Sequence, residues 1–107
     1  MRYLSLDVGT SATKASVLDA ELNELATSQA EYPYLLLPGS KVEIDPTALL
    51  RGIAAAVSGL DERLLAEVEC VCYDTFSPSP VFLDAAGGLA YPNIITHMDR
   101  RSGEQSE

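Results

Sequence analysis

Residues Leu6 to Lys14 read LDVGTSATK, in which an aspartate closes an apolar stretch and a glycine, three hydroxyl residues and a lysine follow. A carboxylate at a strand end is well placed to hold magnesium, directly or through water. Gly9 lets a phosphate approach the backbone. Thr10, Ser11 and Thr13 add neutral hydroxyl donors, and Lys14 offers a charge to a phosphate oxygen if the chain aims it that way. Such a set suits phosphoryl transfer, where positioning and charge neutralisation do most of the catalysis. The same residue types also build ordinary hairpin turns, and such short signals are frequent by chance. Taken alone, the nine residues favour the plain turn, and they do not form a P-loop, which has a glycine directly before the lysine, where this chain has Thr13.

A loop of this kind needs elements to present it. RYLSLDV alternates, with Leu4, Leu6 and Val8 on one face and Tyr3, Ser5 and Asp7 on the other, which predicts a first strand ending near Asp7. TKASVLD predicts a second strand, AELN a turn and ELATSQAEY a third strand, together an antiparallel meander. YPYLLLPGSKVEIDP is interrupted by Pro33, Pro38, Gly39 and Pro46 and is expected to be a long loop. Asp45 followed by Pro46 marks a helix start, with the aspartate as N-cap and the proline in the first helical position. TALLRGIAAAVSGL then places Leu49, Ile53, Val57 and Leu60 on one side as core packing, with Gly59 as the stop. VECVCYD predicts a fourth strand, expected to be central. TFSPSP is a loop, because two prolines exclude an interior strand. VFLD, AAGG and LAYP read as a short hairpin in which Asp84 ends a strand at a turn. DRRSGEQSE begins polar and helix-like, so a further element is expected to start there. The order, βββαβ followed by a hairpin, describes the opening of an α/β ribonuclease H-like fold.

Composition narrows the function classes. The 107 residues are 47% hydrophobic and 21% charged, a globular balance suited to one domain or part of one. The net charge of −9 argues against a nucleic-acid partner and a membrane-surface role. The only adjacent basic pair, Arg100 and Arg101, stands near Asp99, Glu104 and Glu107. Backbone N–H groups and a divalent cation can still bind phosphate without net positive charge. Cys70 and Cys72 are expected to be buried, reduced thiols on opposite faces of a strand, unable to bridge. A zinc site lacks ligands, since His97 is the only histidine. No run approaches the roughly 18 apolar residues of a membrane span, and Asp7 comes too early for a signal peptide, so a cytoplasmic protein is expected.

LDVGTSATK followed by ASVLD resembles the opening of the FGGY family of carbohydrate kinases. YPYLLLPGSKVEIDPTALL is similar to the family segment that carries a P-G, a V-E and a D-P before the first long helix. PVFLDAAGGLAYPNIITHMDRRSGE is similar to its v-x-L-D-x-x-G-x-x-x-x-P-x-I-x-W-x-D-x-R segment. The three stretches stand in the family's order and cover nearly the whole chain. The resemblance implies an actin-like, ribonuclease H-like ATPase fold, here incomplete. Residues 1–107 would be the N-terminal portion of the first domain, with the second domain absent. The implied activity is transfer of the γ-phosphoryl of Mg-ATP to a hydroxyl of a ketose or polyol, with ATP and magnesium as cofactors.

Residue by residue, the resemblance implies that Asp7 is the aspartate near magnesium and phosphate. Gly9, Thr10 and Ser11 would form the first phosphate loop, with Thr13 beside them. Lys14 matches a basic position reaching toward the transferred phosphate. Asp99 and Arg100 match the D-R-R stretch near the sugar pocket, and Asp74, Thr75, Ser77 and His97 would face the sugar. There are departures. His97 replaces the family's usual tryptophan. DTFSPSP, from Asp74 to Pro80, lacks the family's Gln-Met-His or Arg-Glu sugar contacts, whose places fall near Phe76, Ser77 and Pro78. Substrate identity is therefore not inherited.

Plainer readings stand beside these. Asp74 and Thr75 serve equally well as loop caps. His97 suits a loop residue bonding locally. Arg100 and Arg101 suit a solvated helix start pairing with Glu104. The resemblance also implies that the catalytic base, an aspartate, lies beyond Glu107 with the second phosphate loop and the adenosine pocket. The chain alone would then form one wall of a cleft and would not catalyse. The alternative is a non-catalytic remnant or interaction module that exposes a sheet edge and tends to self-associate as a homo-oligomer. A heat-shock or actin-type ATPase is disfavoured by the D-R-R and V-E-x-D-P segments.

Overall fold

The computed structural model describes residues 1–101. The alternating opening forms strand β1 (Arg2–Val8), which pairs antiparallel with β2 (Ala12–Leu18). The Gly9 N–H closes the turn between them on the Ala12 carbonyl at 2.9 Å. β3 (Glu24–Glu31) pairs antiparallel with β2 and completes the expected meander.

The segment expected as a long loop contains a second hairpin, β4 (Leu35–Leu37) against β5 (Lys41–Ile44). Pro38 and Gly39 punctuate its turn rather than the whole segment. Gly39 and Ser40 both take left-handed φ values, 80° and 59°. Helix α1 (Pro46–Ser58) starts as its sequence dictates, with the Asp45 carboxylate accepting from Thr47 N–H at 3.0 Å and Pro46 in the first turn. Gly59 caps its end. A one-turn helix, α2 (Glu62–Leu65), follows; four residues are too few to show a helical stripe in sequence. β6 (Val68–Thr75) returns parallel to β1, and β7 (Ile94–Ile95) pairs with β5.

The strands form two sheets, in the orders β3-β2-β1-β6 and β4-β5-β7. One face of the larger sheet carries Leu4, Ala15 and Val17 and packs on Ala56 and Leu60. The helix is rotated from the expected stripe. Within α1 the buried positions are Gly52 and Ala56, while Leu49, Ile53 and Val57 are half-buried on the flank. The cause is close approach: a Cβ on Gly52 would lie 2.4 Å from the Tyr32 ring.

Two expectations about β6 are corrected. It is an edge strand rather than a central one, and Val71 and Tyr73 are exposed. Residues two apart on a strand share a face, so Cys70 and Cys72 do not point to opposite sides. Their sulfurs lie 3.9 Å apart, as free and exposed thiols. Leu83 bridges Leu89 as the short hairpin requires, and the Asp84 carboxylate accepts from the N–H groups of Ala86 and Gly88, both at 2.9 Å. Of the helix-like element expected at the end, residues 102–107 lie outside the described residues. Among the described residues no helix is long and apolar enough to cross a membrane.

Candidate functional site

Strand register assembles the first cluster. Asp7 on β1 stands opposite Lys14 on β2 and opposite Asp74 on β6. The three side chains form one row on the sheet face away from α1. Ser5, Ser16 and Glu24 join them around a depression of about 270 Å³. Asp7 accepts a hydrogen bond from the protonated Asp74 carboxyl and repels its charged form, and both effects raise Asp74 above its ordinary range. Lys14 Nζ lies 3.6 Å from Glu24, a half-exposed pair of little energetic weight.

Two adjacent carboxylates whose repulsion is relieved by a shared proton are relieved equally by a divalent cation. The donor set suits a hard ion that takes oxygen ligands. Among the described residues no group of three His, Cys, Asp or Glu side chains converges on a metal position. The pair would therefore supply two carboxylates, and water or phosphate oxygens the rest.

The loop after Asp7 is held from behind. A Cβ on Gly9 would meet the Ala12 carbonyl at 3.0 Å, so the tight turn favours glycine. Among the described residues no protein acceptor takes the N–H groups of Thr10 and Ser11. The Thr10 hydroxyl is 3.3 Å from that of Tyr34, and the Ser11 carbonyl accepts the Tyr32 N–H at 2.9 Å. Thr13 does not join them. Alternation along β2 turns it to the buried face, where its hydroxyl lies 3.1 Å from the Tyr32 hydroxyl.

The later candidates gather elsewhere. Asp99 is held by the Val42 N–H at 2.8 Å and by Arg101, whose Nη2 donates to Asp99 Oδ2 at 2.7 Å. Arg101 also donates to Glu43, whose side chain is fully buried. Glu43 further accepts from Tyr91 at 2.5 Å and from Asn93 at 2.8 Å. Hydrogen bonds from the Arg101 side chain hold the Asp99 carboxyl well below the usual range, against its burial. Burial pushes Glu43 up, and the bonds from Arg101, Tyr91 and Asn93 outweigh it, so its net shift is downward.

Arg100, the arginine singled out from sequence, is exposed and contributes its backbone N–H to the Ser40 carbonyl at 2.9 Å. Arg101, not Arg100, is the arginine that lines the pocket beside Asp99. Glu43 was also missed as a partner, although the D-x-R spacing and the V-E pair were both visible signals. A pocket of about 400 Å³ lies against this network, lined by Pro78, Pro80, Ile95, Thr96, His97 and Asp99 together with Arg101. The His97 N–H donates to the Ser79 hydroxyl at 3.2 Å and so ties the pocket to the DTFSPSP loop. Asp74, Thr75 and Ser77 do not line this pocket. Asp74 belongs to the Asp7 cluster, Thr75 stands in register with Val8 at the end of β6, and Ser77 is exposed.

No family model matches the chain. It is 30% identical over 105 residues to a glycerol kinase of Cereibacter sphaeroides, covering 94% of this chain and 21% of that one. A crystal structure of a xyloylose kinase from Brucella ovis matches with a TM-score of 0.93 at 22% identity, over 98% of this chain and 22% of that chain. A gluconate kinase from Lactobacillus acidophilus matches with a TM-score of 0.89 at 21% identity, over 97% of this chain and 21% of that chain. The chain therefore spans about a fifth of the length of the relatives it matches. Its fold is the actin-like, ribonuclease H-like α/β fold of these kinases, present in part. By sequence and by fold, the chain is thus similar to carbohydrate kinases of the FGGY family over nearly all of its own length.

Proposed function

We propose that residues 1–107 form the N-terminal portion of the first domain of an ATP-dependent sugar or polyol kinase. The whole protein would transfer the γ-phosphoryl of Mg-ATP to a hydroxyl group of an open-chain ketose or polyol. The observation that carries this reading is the Asp7–Asp74 pair at neighbouring strand ends, followed directly by a turn whose two N–H groups no acceptor takes among the described residues. The kinship to a glycerol kinase, and a similar fold in a Plasmodium falciparum glycerol kinase solved with ADP, support a nucleotide ligand.

In this reading Asp7 and Asp74 hold magnesium, which neutralises phosphate charge when bound. The Thr10 and Ser11 N–H groups take phosphate oxygens, with the hydroxyls beside them. Lys14 leaves Glu24 to offset charge on the transferred group. The pocket at His97 and Asp99 faces the acceptor, whose attacking hydroxyl loses its proton to a base supplied by another part of the protein.

Titration of the chain with Mg-ADP, followed by amide NMR, tests this. Weak, saturable shifts are expected at Thr10 and Ser11, and Asp7→Ala should abolish them. Tight binding indifferent to that change contradicts the assignment.

One observation favours a second reading, a non-catalytic interaction module. Among the described residues nothing pairs with the outer edge of β6, and Val71 and Tyr73 are 54% and 75% exposed. On this reading light scattering shows mass rising with concentration, and Tyr73→Lys suppresses the rise. A wild-type chain that stays monomeric throughout rejects it.

A further inference from the structure

We infer that Tyr32 is a positioning residue for the phosphate loop, acting through the Gly9–Thr10 peptide; this rests on the reading of that loop given above. Tyr32 lies at the exit of β3, far from Asp7 in sequence, and is 5% exposed. It grips the loop from the buried side at Gly9, Ser11 and Thr13.

The direction of the bonds can be deduced. A phenol has one proton, and a carbonyl oxygen only accepts. The Tyr32 hydroxyl donates to the Gly9 carbonyl, so the Thr13 hydroxyl must donate to Tyr32. The relay runs from Thr13 through Tyr32 to Gly9. It ends on the carbonyl of the peptide whose N–H belongs to Thr10. Hydrogen bonds in series polarise one another, so a donor on that carbonyl strengthens the Thr10 N–H as a donor to an anion. This N–H is one of the two that no protein acceptor takes among the described residues.

The ring is fixed independently of the loop. Gly52 of α1 leaves the space it fills, since a Cβ there would lie 2.4 Å from the ring. Burial, the largest influence, raises the phenol above its ordinary value, so it stays protonated as a donor at neutral pH. A helix position, a buried tyrosine and a loop peptide thus form one mechanical line.

The test is Tyr32→Phe, which keeps the ring and removes only the hydroxyl. Three readouts are taken on the chain: the Thr10 amide proton shift, Mg-ADP affinity by NMR, and Mn(II) affinity without nucleotide. Loss of the relay should move the Thr10 proton upfield and weaken Mg-ADP binding roughly three- to tenfold. Mn(II) affinity at the carboxylate pair should be unchanged. Thr13→Val, which removes only the outer donor, should change the first two in the same direction by less. Unchanged Thr10 shift and Mg-ADP affinity in Tyr32→Phe overturn the role of Tyr32 and leave the function standing. Equal losses of Mg-ADP and Mn(II) affinity reduce Tyr32 to general structure and overturn it too. Absence of any Mg-ADP response in the wild type overturns both this proposal and the reading beneath it.

Discussion

Replacing Glu43 with alanine is expected to cost about 3 to 5 kcal/mol of folding stability, the range for breaking a buried ion pair. For a chain of this size that lowers the melting temperature by roughly 10 °C or more. Glu43 is fully buried and receives Arg101, Tyr91 and Asn93. Its removal leaves the Tyr91 hydroxyl and the Asn93 amide without their acceptor and Arg101 with Asp99 as its one carboxylate partner. The network also ties β5 to the segment that carries His97 and Asp99, so the pocket should loosen with it.

Acid should erase the difference. Glu43 and Asp99 titrate below their ordinary values of 4.5 and 3.8 in the folded chain. A depressed carboxyl contributes stability that is fully present above its unfolded value and lost as the pH falls through the folded one. Thermal melts of wild type and Glu43→Ala at neutral pH and in acid check both statements. Equal melting temperatures at neutral pH would show that the network does not hold this end of the fold.

Asp7→Asn should have the opposite sign. The Asp74 carboxyl is raised above 3.8 by Asp7, through their hydrogen bond and their like charge. A raised carboxyl contributes stability that is present below the unfolded value and lost as the pH rises through the folded one. At neutral pH without divalent cations, the pair therefore works against the fold. The Asn variant should melt higher than wild type under those conditions and lower or equal in acid. Added Mg²⁺ should raise the wild-type melting temperature and leave the variant unmoved. A wild type that ignores Mg²⁺ would deny the pair its assigned role.

What could be read from the chain followed its locality. RYLSLDV and Asp45-Pro46 carry their signals within one strand or one helix turn, and β1 and α1 form where those signals stand. Asp74 could not be paired with Asp7 from sequence, because the pairing depends on the register of two strands distant in the chain. The V-E pair marked Glu43, but in a segment expected to be a loop nothing in the sequence brings Arg101 to it. β6 is apolar enough to look central, yet its sequence does not say whether another strand covers its edge. Thr13 was legible. It shares the face of Ala15 and Val17, and two-residue periodicity alone withdraws it from the loop surface. The same arithmetic applies to Cys70 and Cys72.

In the proposed function, one strand-end carboxylate pair and the turn beside it receive a metal-bound nucleotide. Paramagnetic Mn²⁺ added with ADP probes it directly, by selective broadening of amide signals. Broadening is expected first at Asp7, Thr10, Ser11 and Asp74, enhanced by ADP and abolished by Asp7→Asn. Broadening spread evenly over the acidic surface, or unchanged in that variant, would contradict it.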